Sequence, residues 1–456
     1  MKATFFGKRQ IDMTQGSIVK QLVLFAVPLI VGEFFQMLYN TVDSAIVGNF
    51  VGKEALAAVG ATGTAVNTLV GFFSGLSVGA TVIIARYFGA KDDKQLHAAV
   101  QSTYVMTLAM GVLLTLLGIF GAPYLLQLLN TPKDAFDQAL LYLRIYFAGA
   151  SGLIMFNMCS GILRAVGDST RPLYVLILCS MLNVVLDLLF VLVFKMGVGG
   201  AALATIVSQF ISAGVLLYML HREEQAHRVE LLSFRVDWSI LKTICVIGVP
   251  IGLQKSIIAL SNTVVLSYVN RFGTGAMAGW SVYRRADMVI QHLMQSFATA
   301  TTTFVSQNLG ADKPERVKKG VWVALGLSVL VTAVLSIAIT LLSEPLVRMF
   351  NDDPEVLYYG SLIICTITPF QVLNCICQIK SGELRGRGKS AIAMVFMVAF
   401  YVVFRQVYLW LGWSSYESMT FVLLAFPLSW TLCSVAILIF LQIFTRRKKE
   451  PIITEP

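Results

Sequence analysis

The stretch SGILRAVGDS (160–169) returns as SGELRGRGKS (381–390), with Ser, Gly, Leu, Arg, Gly and Ser in register, and each copy closes a long apolar run. The spacing is 221 residues (382 − 161), and the register reaches well beyond the phrase. Asn49 and Gly52 fall on Asn270 and Gly273, Ala55 on Ala276, YFGAKDDKQ (87–95) on NLGADKPER (308–316), and Asn130 on Asn351. Upstream, with a one-residue slip, VPLI and NTV (27–30, 40–42) meet VPIG and NTV (249–252, 262–264). One offset held through so many landmarks is an internal duplication, so the chain is two halves built alike.

Composition says what each half is made of. Of the 456 residues, 57% are hydrophobic and 13% charged, against about 25% charged in soluble domains. The mean hydropathy is +0.75. Apolar runs of about 20 residues, the length that crosses a bilayer as helix, recur from end to end. Twelve spans are expected near 18–48, 54–85, 97–121, 138–163, 171–194, 198–220, 240–270, 276–308, 317–342, 357–384, 390–411 and 418–445. The N-terminal run is too long and interrupted for a cleaved signal peptide and lacks a small-residue cleavage site, so it counts as span one. Six spans per half is even, so the second half re-enters with the orientation of the first. The expected fold is an all-α integral membrane protein: twelve transmembrane helices in two six-helix lobes related by a parallel pseudo-twofold repeat. The N-lobe takes residues 1–220, the charged loop HREEQAHRVELLSFRVDW lies within a linker at 221–239, and the C-lobe takes 240–456.

Most of the 35 Lys and Arg residues fall in alternate loops and in the RRKK tail (446–449). By the positive-inside rule this places both termini in the cytoplasm; the resemblance drawn below further implies a prokaryotic cytoplasmic membrane. The net charge of +10 therefore has a membrane explanation. No basic run interleaves with aromatics as single-strand nucleic-acid binding requires. The seven cysteines lie within apolar spans, and Cys375-x-Cys377 on a helix points its thiols apart, so neither zinc nor a disulfide framework is indicated. No GxxxxGK[ST] phosphate loop is present, and no Ser/His/Asp arrangement. The expectation is a transporter rather than an enzyme, without cofactor, acting as a monomer and driven by an ion gradient.

Polar residues inside spans carry the functional signal, because an ionisable group at mid-bilayer costs about 2.5–3.5 kcal/mol on insertion scales. Span one places Gln36, Asn40 and Asp43 on one helix face at i, i+4 and i+7. Span five holds Asn183 and Asp187 one turn apart, and span six Thr205, Ser208 and Gln209. Counted from the outer ends at about 1.5 Å per residue, Asp43, Asp187 and Thr205 share a depth of roughly 9–12 Å. Two carboxylates, an amide and a hydroxyl at one level suit Na⁺, and they equally suit H⁺, since crowded carboxylates hold a proton. Counting across the repeat, Asp43, Asn183, Asp187 and Thr205 fall on Val265, Phe404, Tyr408 and Phe426. A hydrogen-bond network that the fold itself needed would tend to recur in both halves; this one belongs to the first alone.

Other charges read differently. Glu33 aligns with Lys255 at an offset of 222 and is a candidate interlobe ion pair. Arg284, Arg285 and Asp287 read as a local salt-bridge group, and Lys380 and Glu383 as a surface pair. Pro28, Pro250, Pro369 and Pro427 allow bends.

LYNTVDSAIVG in span one, the YFGA and NLGA turns, LRAVGDSTRP after span four and the twelve-span duplication together resemble the multidrug and toxic compound extrusion (MATE) transporters over nearly the whole chain. Asn183-x3-Asp187 followed by Thr205 further resembles the prokaryotic branch with an N-lobe cation site. The resemblance implies antiport of organic, often cationic and aromatic, compounds against H⁺ or Na⁺. It implies coupling at Asp43, Asn183, Asp187 and Thr205, with Gln36 and Asn40 lining the approach. Glu33, Lys255 and Asp287 are further cavity candidates; Lys255 on span seven makes a C-lobe coupling site around Asp287 doubtful. Two alternatives stay open: a lipid-linked oligosaccharide flippase of related fold, which would want a cationic cavity, and an intramembrane enzyme.

Overall fold

The computed structural model describes residues 10–51, 53–128, 131 and 133–447. Gly52, Asn130, Lys448 and Lys449, named above, lie outside them. Among the described residues every regular element is helical. The first half comprises α1 (Ile18–Ile46), α2 (Lys53–Ala90), α3 (Asp93–Leu128), α4 (Lys133–Ala148), α5 (Ala150–Ala165), α6 (Thr170–Asp187) and α7 (Gly197–His221). The second comprises α8 (Trp238–Val269), α9 (Thr274–Gly310), α10 (Pro314–Leu341), α11 (Ser343–Arg348), α12 (Pro354–Ile367) and α13 (Gln371–Gly386), then α14 (Ser390–Val398), α15 (Arg405–Trp413) and α16 (Met419–Arg447). Three π turns interrupt or extend them, at Val47–Val51, Leu188–Val193 and Ala399–Phe404.

Among the described residues ten helical stretches are long and apolar enough to cross a membrane, and eleven when α4 and α5, bent by 45° at Gly149, count as one. The twelfth expected span is α9. Its 37 residues reach about 55 Å at 1.5 Å per residue, but Arg284, Arg285, Asp287, Gln291, His292 and Gln295 dilute its hydropathy. Spans four and ten break at matching places: α4 meets α5 at Gly149, and α12 meets α13 through a 3₁₀ turn at Thr368–Phe370 containing Pro369.

The duplication is visible atom by atom. Thr81 Oγ1 donates to the Gly161 carbonyl at 3.3 Å, and Thr302 Oγ1 donates to the Gly382 carbonyl at 3.0 Å. A Cβ at Gly161 would stand 2.9 Å from the Ser77 and Thr81 hydroxyls, and one at Gly382 would stand 2.7 Å from the Ala298 carbonyl. The repeated Ser-Gly therefore lets two helices close to hydroxyl-to-carbonyl range. Gly167 and Gly388 take φ of +87° and +75° and turn the chain after each phrase. The arginines of the phrase are not loop residues. Arg385 is buried and donates to Gln254 Oε1 at 3.4 Å, and Arg164 is half-buried with Glu33 as its charged neighbour. In the first half Asp168 caps α6 and pairs with Arg171, which also pairs with Glu223 on the loop before α8. The second half has Lys389 and Ile392 at those places and lacks the network.

By packing the described residues divide into two compact units, 10–12 with 27–252, and 13–26 with 253–447. The division therefore falls inside α1 and α8, close to Pro28 and Pro250, and not in the 221–239 loop. Within the first unit α5 packs on α2, α3 and α7, and α6 on α7. Within the second α9 packs on α10, α12 and α13, and α13 on α16. The first unit also contains a glycine seam between Gly75-x3-Gly79 on α2 and Gly248-x3-Gly252 on α8. A Cβ at Gly79 would stand 2.6 Å from the Ile244 carbonyl, and one at Gly248 2.7 Å from the Leu76 Cα. Small-x3-small pairs let backbones approach where lipid offers no hydrophobic drive.

Candidate functional site

The helical face of α1 that carries Asp43 and the last turn of α6 that carries Asp187 bring two carboxyl groups together at hydrogen-bonding range. Asp187 is fully buried and Asp43 half-buried. A π turn follows each within a few residues, a local device common at functional sites. Neither Asp187 oxygen nor Asp43 Oδ1 has a hydrogen-bond donor among the described residues. Two carboxylates at that range repel unless a proton or a cation lies between them.

Beside this pair the first unit has a partly open cavity lined by Tyr39, Ser180, Asn183, Thr205, Ser208 and Gln209, among others. Both side-chain amide atoms of Asn183, the hydroxyls of Ser180 and Ser208 and the Gln209 Oε1 are buried without a partner. Buried polar atoms are almost always satisfied, because stripping them of water without replacement costs a kilocalorie or more each. Such a concentration of buried polar atoms is one that water, an ion or a polar ligand would satisfy. Thr205 lines the cavity but spends its proton on its own helix, donating to the Ala201 carbonyl at 3.0 Å, so its oxygen is left as an acceptor.

Tyr39 joins the two parts. It lines the cavity, bonds Gln36, and lies within electrostatic reach of both carboxyls. Tyr142, stacked on Tyr146 with centroids 6.1 Å apart, also reaches both. The sequence held a signal for Tyr39, one turn before Asp43 on the same face; Tyr142 on α4 carried none.

The remaining candidates separate. Asn40 is exposed, and Gln36 bonds Tyr39 beside the cluster. Glu33 belongs to the first unit and neighbours Arg164; Lys255 belongs to the second and is half-buried. Asp287 is buried in the second unit, where Gln371 Nε2 and Gln291 Nε2 donate to its Oδ1 and Arg284 Nη1 lies 3.5 Å from its Oδ2. Asn374 extends this network to Gln371 at 3.0 Å and accepts from Tyr401 OH at 2.8 Å. Lys380 and Glu383 do pair, at 3.0 Å, but buried, and Glu383 also takes Arg387 at 2.9 Å. Among the described residues no group of three or more His, Cys, Asp or Glu side chains could hold a metal ion.

The family model MatE matches the chain twice, over residues 28–189 and 250–411. The two matches together cover 324 residues (162 + 162). The chain belongs to the MatE family. The two matches start 222 residues apart (250 − 28), which is the upstream offset of the duplication. The Probable multidrug resistance protein YpnP of Bacillus subtilis (strain 168) is 29% identical over 399 residues, 86% of this chain and 88% of its own length. The Probable multidrug resistance protein NorM of Thermotoga maritima is 29% identical over 388 residues, 83% and 82% of the two chains. In fold, a MOP superfamily transporter from Pyrococcus furiosus superposes with a TM-score of 0.91 at 23% identity, over 97% of this chain and 99% of that one. MatE membership makes this a multi-span membrane protein of the multidrug and toxic compound extrusion family, and it bears out the resemblance drawn from LYNTVDSAIVG, YFGA and LRAVGDSTRP.

Proposed function

We propose that this MatE chain is a secondary active antiporter that exports organic, often cationic and aromatic, compounds in exchange for H⁺ or Na⁺ by alternating access of two lobes. The observation that carries the reading is the facing pair Asp43 and Asp187 beside a cavity of unpartnered polar atoms, in the first repeat alone. The carboxyl pair supplies the charge a cation needs, and Asn183 and Thr205 supply neutral oxygens. An incoming ion neutralises the pair and favours one arrangement of the lobes, and the exported compound favours the other. Coupling follows because each ligand discriminates between the states. The setting is a prokaryotic cytoplasmic membrane with both termini inside, the partners are small organic molecules and lipid, the acting unit is a monomer, and no cofactor is needed.

The test is dye efflux from proteoliposomes under separately imposed Na⁺ and pH gradients. One of the two gradients is expected to drive efflux, and Asp43→Asn and Asp187→Asn are expected to abolish it while the protein still reconstitutes. Undiminished efflux in both variants rejects the site.

A further inference from the structure

Counting by 221 sets Asn183 against Phe404 and Asp187 against Tyr408, but the helices do not follow the count. The stretch 178–183 of the first repeat is regular α-helix in α6, whereas its counterpart Ala399–Phe404 is a π turn. An i→i+5 turn holds one more residue than an α turn, so the side chains that follow it rotate by one place, until the first repeat's own π turn at Leu188–Val193 restores the register. Arg405 then takes the position of Asn183 (183 + 221 + 1), and Leu409 that of Asp187. Burial agrees: Asn183 and Asp187 are 3% and 0% exposed, Arg405 and Leu409 are 1% and 0%, and Phe404 and Tyr408 are only half-buried.

The surroundings match as well. Arg405 Nη2 donates to Ser429 Oγ at 3.0 Å, and Nη1 donates to Asn262 Oδ1 at 3.0 Å. The guanidinium carbon lies 4.3 Å from the Phe426 ring centre and 5.5 Å from that of Tyr401. Ser429, Phe426 and Tyr401 are, at 221, the counterparts of Ser208, Thr205 and Ser180, all of which line the first-unit cavity. Asn262 answers to Asn40 at 222. The side chain thus fills in the second unit the place that is cavity in the first. Its partners are neutral: none of the described ion pairs includes Arg405, its Nε has no acceptor among the described residues, and the buried carboxyl of Asp287 is taken by Gln371, Gln291 and Arg284. A buried guanidinium without a carboxylate is costly unless amides, hydroxyls and ring faces are arranged around it. Here they are.

We propose that Arg405 is a resident cation: a tethered guanidinium occupying, in the second unit, a cation site that corresponds to the first-unit cavity. Its functional meaning rests on the ion site proposed for the first unit, since it would leave the second unit permanently charged and only the first exchangeable. Its physical content does not rest on that reading.

Removing the tether should leave a site that takes free guanidinium. With the full chain purified in detergent, Arg405→Ala is expected to lower Tm, and millimolar guanidinium to restore most of the loss. Urea or Na⁺ at the same concentration should not, and the wild type should not respond. A ligand that binds only the folded state stabilises it by mass action. Guanidinium that shifts neither protein, or both alike, overturns the proposal. Should the Ala variant fail to fold, Arg405→Lys and Arg405→Met decide: the Lys variant is expected to elute as a single folded species and the Met variant not, and equal behaviour overturns the idea. The rescue is expected to persist in an Asp43→Asn background, so a failure of the ion-site reading would leave it standing.

Discussion

Asn183 and Arg405 hold matching places in two copies of one fold, yet one offers an amide and the other a full charge. Placing the charge in the first copy is therefore informative. Asn183→Arg is expected to put a guanidinium among Ser180 and Ser208, leave the protein folded and reconstituted, and abolish gradient-driven dye efflux; efflux at the wild-type rate would show that the cavity is not used. Tyr39→Phe removes one hydroxyl beside the carboxyl pair. Its hydrogen bond goes to the neutral Gln36, and such a bond is worth about 0.5–1.5 kcal/mol, so efflux is expected to fall by roughly two- to tenfold, measured as initial rate at fixed gradient. Asp43 and Asp187 were legible because carboxyls are rare in apolar spans. Arg405 was not, because counting by 221 cannot see a π turn, which changes no residue and shifts the side chains that follow until the π turn of the other copy offsets it.

At the scale of elements, glycines tell apart what packs and what does not. Gly79 faces the backbone of α8, and even a methyl there would sit 2.6 Å from a carbonyl oxygen, whereas Gly214 on α7 has nothing within 4 Å of its would-be Cβ. Gly79→Ala is expected to lower Tm, since inserting a methyl into a tight seam costs about 1–3 kcal/mol. Gly214→Ala is expected to hold or raise it, since Ala is better than Gly in a helix interior by about 0.5–1 kcal/mol. A thermal melt of each in detergent separates them, and equal shifts would mean the seam is not tight. The spans themselves could be read because their apolar runs match bilayer thickness. Their internal breaks were harder: Pro369 hinted at one in span ten, but nothing around Gly149 marks the 45° bend between α4 and α5. Three of the six polar residues that dilute the hydropathy of α9, Arg284, Asp287 and Gln291, build the Asp287 network.

At the scale of the molecule, each unit depends on a segment lying on the far side of the central loop. Residues 13–26 belong with 253–447, where Met13 donates to Gln307 Oε1 and accepts from Asn308 Nδ2 and Lys313 donates to the Thr14 carbonyl, while residues up to 252 belong with the first unit. A chain severed in the 221–239 loop is therefore expected to give two fragments that fail to accumulate when expressed singly and that co-purify when expressed together. Independent folding of either fragment would contradict the division. The duplication was plain in the sequence because landmarks survive at a fixed offset; this cross-membership was not, because it is a matter of packing and leaves no motif.

That cross-membership has the symmetry of an exchange. The two boundaries fall within four residues of each other in the repeat register, since 26 + 222 is 248 and the second lies at 252. A half that lends its leading segment to its copy and receives the corresponding segment back has the pattern of a domain-swapped dimer, here within one polypeptide. Because the two partners are one chain and not two identical ones, a substitution in one copy does not have to suit both.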